Sequence, residues 1–116
     1  MVQTDRGHAA QQDRRQILVV VTSDGMIDGR PLTGMWFEEF AIPYQVLRQR
    51  GFDVTVASPR GGISPVDPRS RLTPDASAAY GDAATWLDTT VRLGDQRYER
   101  FQAILFPGGL PRCDAG

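Results

Sequence analysis

The feature that most constrains this chain is the run Gln16-Ile-Leu-Val-Val-Val-Thr-Ser23. Its apolar residues are consecutive and largely β-branched, so an extended chain carries them on both sides. Such a strand is stable only when both of its faces are covered, which is the situation of a central strand in a parallel α/β sheet. Two further segments read as strands: Phe52-Asp-Val-Thr-Val-Ala-Ser58, ended by Pro59, Gly61 and Gly62, and Phe101-Gln-Ala-Ile-Leu-Phe106, broken at Pro107-Gly-Gly109.

The segments between the strands alternate in character. Residues 24–34 form a loop rich in Gly and Asp, followed by a helical pattern over about 35–50 in which Phe37, Phe40, Tyr44 and Leu47 make an apolar stripe and Gly51 marks the stop. Pro43 lies inside that pattern, so the helix either kinks there or begins there. Residues 63–73 are proline-rich and irregular. A second helix is predicted from Asp82, as its N-cap, to about Leu93, with Ala83, Trp86, Leu87 and Val91 facing inward. Residues 1–15 are polar, lack apolar periodicity and read as a disordered leader. The resulting order, strand, helix, strand, excursion with helix, strand, implies parallel pairing with right-handed crossovers. The three strand-exit loops at Ser23, Pro59 and Pro107 then share the carboxyl edge of the sheet, where open α/β sheets bind ligands.

Composition narrows the partners. At 116 residues the chain is long enough for one small domain. Its formal net charge is −1 and its 13 basic residues are scattered, so no electrostatic footprint for nucleic acid or anionic lipid is present. The longest uninterrupted apolar run, residues 17–21, is far shorter than a membrane span or a signal-peptide core. The expected setting is the cytoplasm, with a small molecule or a protein as partner. Cys113 is the single cysteine and His8 the single histidine. An internal disulfide and a multi-cysteine metal site are therefore excluded, and no metal or cofactor is expected.

Read from the residues alone, the candidates have ordinary explanations. The helical phase of Glu39 relative to Phe37 and Phe40 turns it away from the apolar stripe, as for a solvated carboxylate. Gly108 and Gly109, after a strand and a proline, describe a tight turn. Trp36, Phe37, Phe40 and Tyr44 describe a packed helix face, and Trp86 reads likewise as packing. The loop at residues 24–34 lacks a G-x-G-x-x-G pattern and carries acidic residues where a phosphate would be repelled, which argues against dinucleotide binding. Cys113 follows Pro111 in a polar tail without a strand before it, a helix after it or a histidine beside it, and is not assigned as a nucleophile.

Three stretches together resemble the ThiJ/PfpI superfamily (class I glutamine amidotransferase-like), and most closely its glutathione-independent glyoxalase branch. They are Thr33-Gly-Met-Trp-Phe-Glu-Glu-Phe-Ala-Ile-Pro-Tyr44, Gly51-Phe-Asp-Val-Thr-Val-Ala-Ser-Pro-Arg-Gly-Gly62 with Val66-Asp-Pro-Arg-Ser70, and Phe101-Gln-Ala-Ile-Leu-Phe-Pro-Gly-Gly109. The resemblance spans residues 16–109 and leaves 110–116 as a tail unlike the family. It implies a flavodoxin-like α/β fold, here incomplete with about three strands, and a small carbonyl substrate such as methylglyoxal. It also implies that a homodimer is a partner to consider. In the family a cysteine on a strand-to-helix elbow attacks the carbonyl, a glutamate of the first helix assists, and backbone N–H groups after Pro-Gly-Gly hold the oxyanion. The match gives the glutamate role to Glu39, with Glu38 one register away as the competing assignment. The oxyanion-hole role falls to the backbone of Gly108, Gly109 and Leu110. The family's Val-Cys-His-Gly-Pro stretch has no counterpart in this sequence, so the resemblance implies a truncated member that is itself inactive. The other expectations are a non-catalytic, chaperone-like binding module, with Ile104, Leu105 and Phe106 on an open sheet edge, and a remnant without function.

Overall fold

The computed structural model of the chain describes residues 15–108. The apolar run forms strand β1 (Gln16–Val20). It is followed by a short hairpin, β2 (Met26–Ile27) and β3 (Arg30–Pro31), then by helix α1 (Phe37–Gln49) and strand β4 (Asp53–Ser58). The excursion holds a 3₁₀ turn at Pro68–Ser70 and the one-turn helix α2 (Pro74–Ser77). Helix α3 (Ala83–Asp88), strand β5 (Val91–Arg92) and strand β6 (Ala103–Leu105) complete the order.

The main sheet has the order β5-β4-β1-β6. Every pairing in it is parallel: Ile17 sits opposite both Val54 and Ala103, and Ala57 opposite Val91. This is the flavodoxin-like α/β arrangement, with four parallel strands rather than about three. The additional strand falls in the predicted second helix, which stops at Asp88 instead of Leu93. Thr89, Thr90 and Val91 are consecutive β-branched residues that lose side-chain freedom in a helix. Thr90 also hydrogen-bonds the Ser58 hydroxyl at 2.6 Å and the Gly62 carbonyl, which ties this segment to the end of β4. Val91, expected on a helix face, is therefore a strand residue. The hairpin β2–β3, within the stretch read as a loop rich in Gly and Asp, is the other element the sequence did not suggest.

Further boundaries differ in instructive ways. Helix α1 runs without interruption through Pro43, neither ending nor beginning there. Asp82 is the N-cap residue of α3 but its side chain makes no capping bond; its carboxylate accepts hydrogen bonds from Tyr44 Oη at 2.7 Å and Trp86 Nε1 at 3.1 Å. Arg15, assigned to the polar leader, belongs to the fold. Its guanidinium donates to the carbonyls of Arg50 and Gly51 and lies over the Phe52 ring, and its own carbonyl accepts from Asp53 N–H. The remaining leader residues, 1–14, lie outside the described residues.

The core lies between the sheet and α1 with α3. Ile17, Val19, Val21, Val54 and Val56 on one face of the sheet form a single buried cluster with Phe37, Phe40, Ala41, Tyr44, Ala83 and Leu87. Trp86 is only half-buried against it. On the opposite face Leu18 and Ala57 are buried, but Val20 and Thr55 are half-buried and Ile104, paired with Leu18, is exposed. Cover of both faces, as the run in β1 leads one to expect, is thus achieved on one face and only in part on the other among the described residues.

Candidate functional site

Strand β1 stands between β4 and β6, so the chain leaves β1 toward one side and later returns on the other. That reversal is a topological switch point, the place in an open parallel sheet where the strand-exit loops separate and leave a crevice. A cleft of about 350 Å³ opens there, lined by Val20, Val21 and Thr22 at the end of β1, by Asp24, Thr33, Gly34 and Met35, and by Phe106 and Pro107 beyond β6. The third exit loop joins them: Arg60 N–H donates to Ser23 Oγ at 2.9 Å, and its guanidinium reaches the Ser23 carbonyl and the Asp24 carboxylate. All three loops expected at this edge are therefore present there.

Glu39 is delivered to the same edge by the first turn of α1. The turn is fixed by a remote segment, because Trp36 at the N-cap makes no side-chain capping bond. Ser70 supplies the cap instead: its hydroxyl accepts from Phe37 N–H at 2.9 Å and donates to the Asp67 carbonyl at 2.9 Å. Asp67 is in turn fully buried, accepts from Arg69 N–H at 2.9 Å, and receives Arg69 Nε and Nη2 at 3.0 and 2.7 Å. The hydrogen bonds from Arg69 hold the Asp67 carboxyl below the ordinary carboxylate range against the opposing cost of burial. The guanidinium of Arg69 also lies 5.9 Å from the Trp36 ring. Upstream, Met35 N–H donates to the Pro65 carbonyl and Asp67 N–H to the Met35 carbonyl. Gly34 permits that approach: its φ is +138°, and a Cβ there would overlap the Pro65 carbonyl oxygen.

On this scaffold the two acidic residues of the first turn separate cleanly. Glu38 accepts a hydrogen bond from Tyr80 Oη at 2.7 Å, which together with burial raises the Tyr80 pKa. Glu39 is exposed, as its helical phase required, and turns to the end of β6: a Cβ placed on Gly108 would stand 3.0 Å from Glu39 Oε1. Gly108 directly follows Pro107 of the cleft wall. Two residues selected from distant parts of the sequence are thus close in space, and Glu38 is engaged elsewhere. Gly109 and Leu110, the other backbone donors expected, lie outside the described residues, as do Cys113 and His8.

Chemically, this edge offers two exposed carboxylates at a small cleft, Asp24 paired with Arg60 and Glu39 beside the glycine backbone of residue 108. A carboxylate so placed can take up or return a proton, and the close glycine lets a substrate approach the main chain. Among the described residues no group of three or more metal-ligating side chains converges, and no helix is long and apolar enough to cross a membrane. The aromatic residues Phe37, Phe40 and Tyr44 are core, with Phe40 and Tyr44 stacked at 5.4 Å. The residues that sequence reading missed are Ser70, Asp67 and Arg69. The Asp-Pro-Arg-Ser pattern signals a capped 3₁₀ turn locally, but nothing in it announces the partner at Phe37.

The chain matches no protein-family model and no curated protein. Among solved structures it is similar to the crystallographic structure of APC35852, with 40% identity and a TM-score of 0.65 over 83% of this chain and 42% of that one. It is also similar to the X-ray structure of the 24 kDa Rapid Encystment Protein, REP24, of Francisella tularensis, with 28% identity and a TM-score of 0.64 over 81% of this chain and 44% of that one. The chain spans less than half the length of either structure. Neither name states a reaction.

Proposed function

We propose that this chain carries the acid/base half of a carbonyl-processing site of the ThiJ/PfpI glyoxalase or deglycase type, acting on small carbonyl compounds such as methylglyoxal. The observation that carries the reading is the proximity of the Glu39 carboxylate to Gly108 at the switch-point edge. In this reading Glu39 exchanges a proton with the attacking group. The backbone N–H groups of Gly108, Gly109 and Leu110 stabilise the negative charge that develops on the carbonyl oxygen. The nucleophile is a thiolate that this sequence does not supply at a matching position, so the chain alone leaves methylglyoxal unconverted.

Two measurements test this. The full chain incubated with methylglyoxal is expected to form no lactate above the buffer rate; a rate lost in Glu39→Gln would show that the nucleophile lies within this chain after all. The chain co-expressed with a polypeptide covering the part of the 40%-identical structure that it does not match is expected to gain turnover. That turnover should fall at least a hundredfold in Glu39→Gln, on the order of a general acid–base contribution. Complementation that Glu39→Gln leaves intact would remove Glu39 from the mechanism.

A second reading rests on a different observation. Phe106 is 70% exposed and Ile104 42% exposed at a sheet edge among the described residues. An apolar edge of this kind suits a non-catalytic, chaperone-like binding role. It predicts association through β6 irrespective of Glu39.

A further inference from the structure

A second and larger cavity, of about 540 Å³, adjoins the switch-point cleft on the Pro65–Val66 side of the Gly34–Met35 segment, among β2, α1, the excursion and α3. Phe37 lines it, and Phe37 and Glu39 are two residues apart on a helix, which sets them about 200° apart around its axis. The cavity and Glu39 therefore occupy different sides of α1. Its volume falls within the roughly 300–1,000 Å³ typical of small-molecule sites.

We propose that this cavity binds a small neutral molecule, mainly apolar, bearing one hydroxyl or carbonyl group that pairs with Ser64. Three features select that chemistry. The walls include Phe37, Val66 and Leu72, so the body of the ligand is apolar. The lining contains one cation, Arg71, and one anion, Asp88, neither ion-paired among the described residues, so the site carries no net charge to select an ion. Ser64 also lines the cavity, and its hydroxyl is buried without a hydrogen-bond partner. Its backbone is pinned by the bond from Ser64 N–H to the Leu87 carbonyl at 2.7 Å, which leaves the hydroxyl as the mobile part. A buried hydroxyl without a partner is an uncompensated desolvation. A step of χ1 between staggered wells is the movement that presents it to a ligand atom.

The test is a titration of the full chain with benzyl alcohol, followed by amide ¹H–¹⁵N correlation spectra. Saturable shifts are expected at Ser64, Val66, Leu72 and Ala84, without comparable shifts at Ile104 or Phe106. Ser64→Ala removes an unpaired buried polar atom and so keeps the fold. It is expected to weaken benzyl alcohol about fivefold, the value of one hydrogen bond, and to leave toluene unchanged. Ala84→Phe, filling the cavity from α3, is expected to abolish binding of both. The proposal is overturned by shifts that do not saturate or that centre on β6. It is equally overturned by a Ser64→Ala effect that is absent or the same for both probes, or by benzoate binding more tightly than benzyl alcohol.

Discussion

Ser70 does for α1 what a local N-cap residue ordinarily does, from 33 positions away. Replacing it with alanine leaves the Phe37 N–H without its partner in a buried setting, and a loss of about 1–2 kcal/mol is expected from urea unfolding. Asp67 sits one step further out. Its pKa is lowered chiefly by Arg69, so the folded chain holds that proton less tightly than the unfolded chain. Below the ordinary carboxylate value near 4 the unfolded state then binds more protons. The contribution of Asp67 is fully present above that value and is lost as pH falls through the folded pKa. Asp67→Asn is expected to cost about 2 kcal/mol at neutral pH and to flatten the acid limb of a stability-against-pH curve; a limb of unchanged slope would mean that other carboxylates set it. At this scale the sequence was readable wherever the information was local. The exposure of Glu39 was legible in its phase on the helix and the end of the strand in Pro107 and Gly108, while the roles expected of Glu39 and Gly108 came from the family resemblance. Ser70 was not, because an N-cap is recognised from the helical residues immediately after it, and here the capped residue comes long before.

At the scale of elements, α1 shows how far a pattern outweighs a single residue. Pro43 has no N–H to give the Glu39 carbonyl four residues earlier, yet the buried stripe of Phe37, Phe40, Ala41 and Tyr44 holds the helix continuous across it. Pro43→Ala restores that hydrogen bond and is expected to stabilise the chain by about 1–2 kcal/mol. This is less than the roughly 3 kcal/mol separating proline from alanine inside a helix, because the alanine chain has more freedom to lose on folding. Thermal melts of the two chains decide it, and a lower Tm for the alanine variant would mean that the ring's packing outweighs the bond it removes. The strands were legible in proportion to their length: β1 and β4 announce themselves by apolar runs. By contrast, β5 has two residues whose β-branched neighbours were absorbed into a helical pattern begun at Ala83 and Leu87. What decides β5 is its pairing with β4 and the Thr90–Ser58 hydrogen bond, both long-range. The hairpin β2–β3 escaped for the same reason, being two residues a side in a loop whose glycines and aspartates suit many turns.

At the scale of the whole fold, the sparsely covered face of the sheet among the described residues is the dominant fact. Helices α1 and α3 cover one face. On the other, the apolar character of β1 continues through Ile104 to Phe106 with little over it, and β6 forms a sheet edge among the described residues. An edge strand offers unpaired N–H and C=O groups, and here it offers them beside apolar side chains, the combination that favours strand addition. The full chain is therefore expected to self-associate, with a weight-average mass that rises with concentration in sedimentation equilibrium. The double substitution Ile104→Lys with Phe106→Ser places a charge and a polar group on that surface without touching the cluster around Phe40. It should lower the association while leaving the unfolding midpoint of the dilute chain within about 0.5 kcal/mol of its starting value, as for exposed sites. A chain that stays monomeric at all concentrations would show that this surface is covered by some other part of the polypeptide. Loss of the fold in the double variant would show that the edge is already buried in the folded unit. The comparison with the co-expressed complement then becomes decisive: if Ile104→Lys alone, which leaves the cleft wall at Phe106 intact, also stops the two polypeptides from co-purifying, β6 is where the two pieces meet, and the apolar edge and the Glu39 site belong to one assembly.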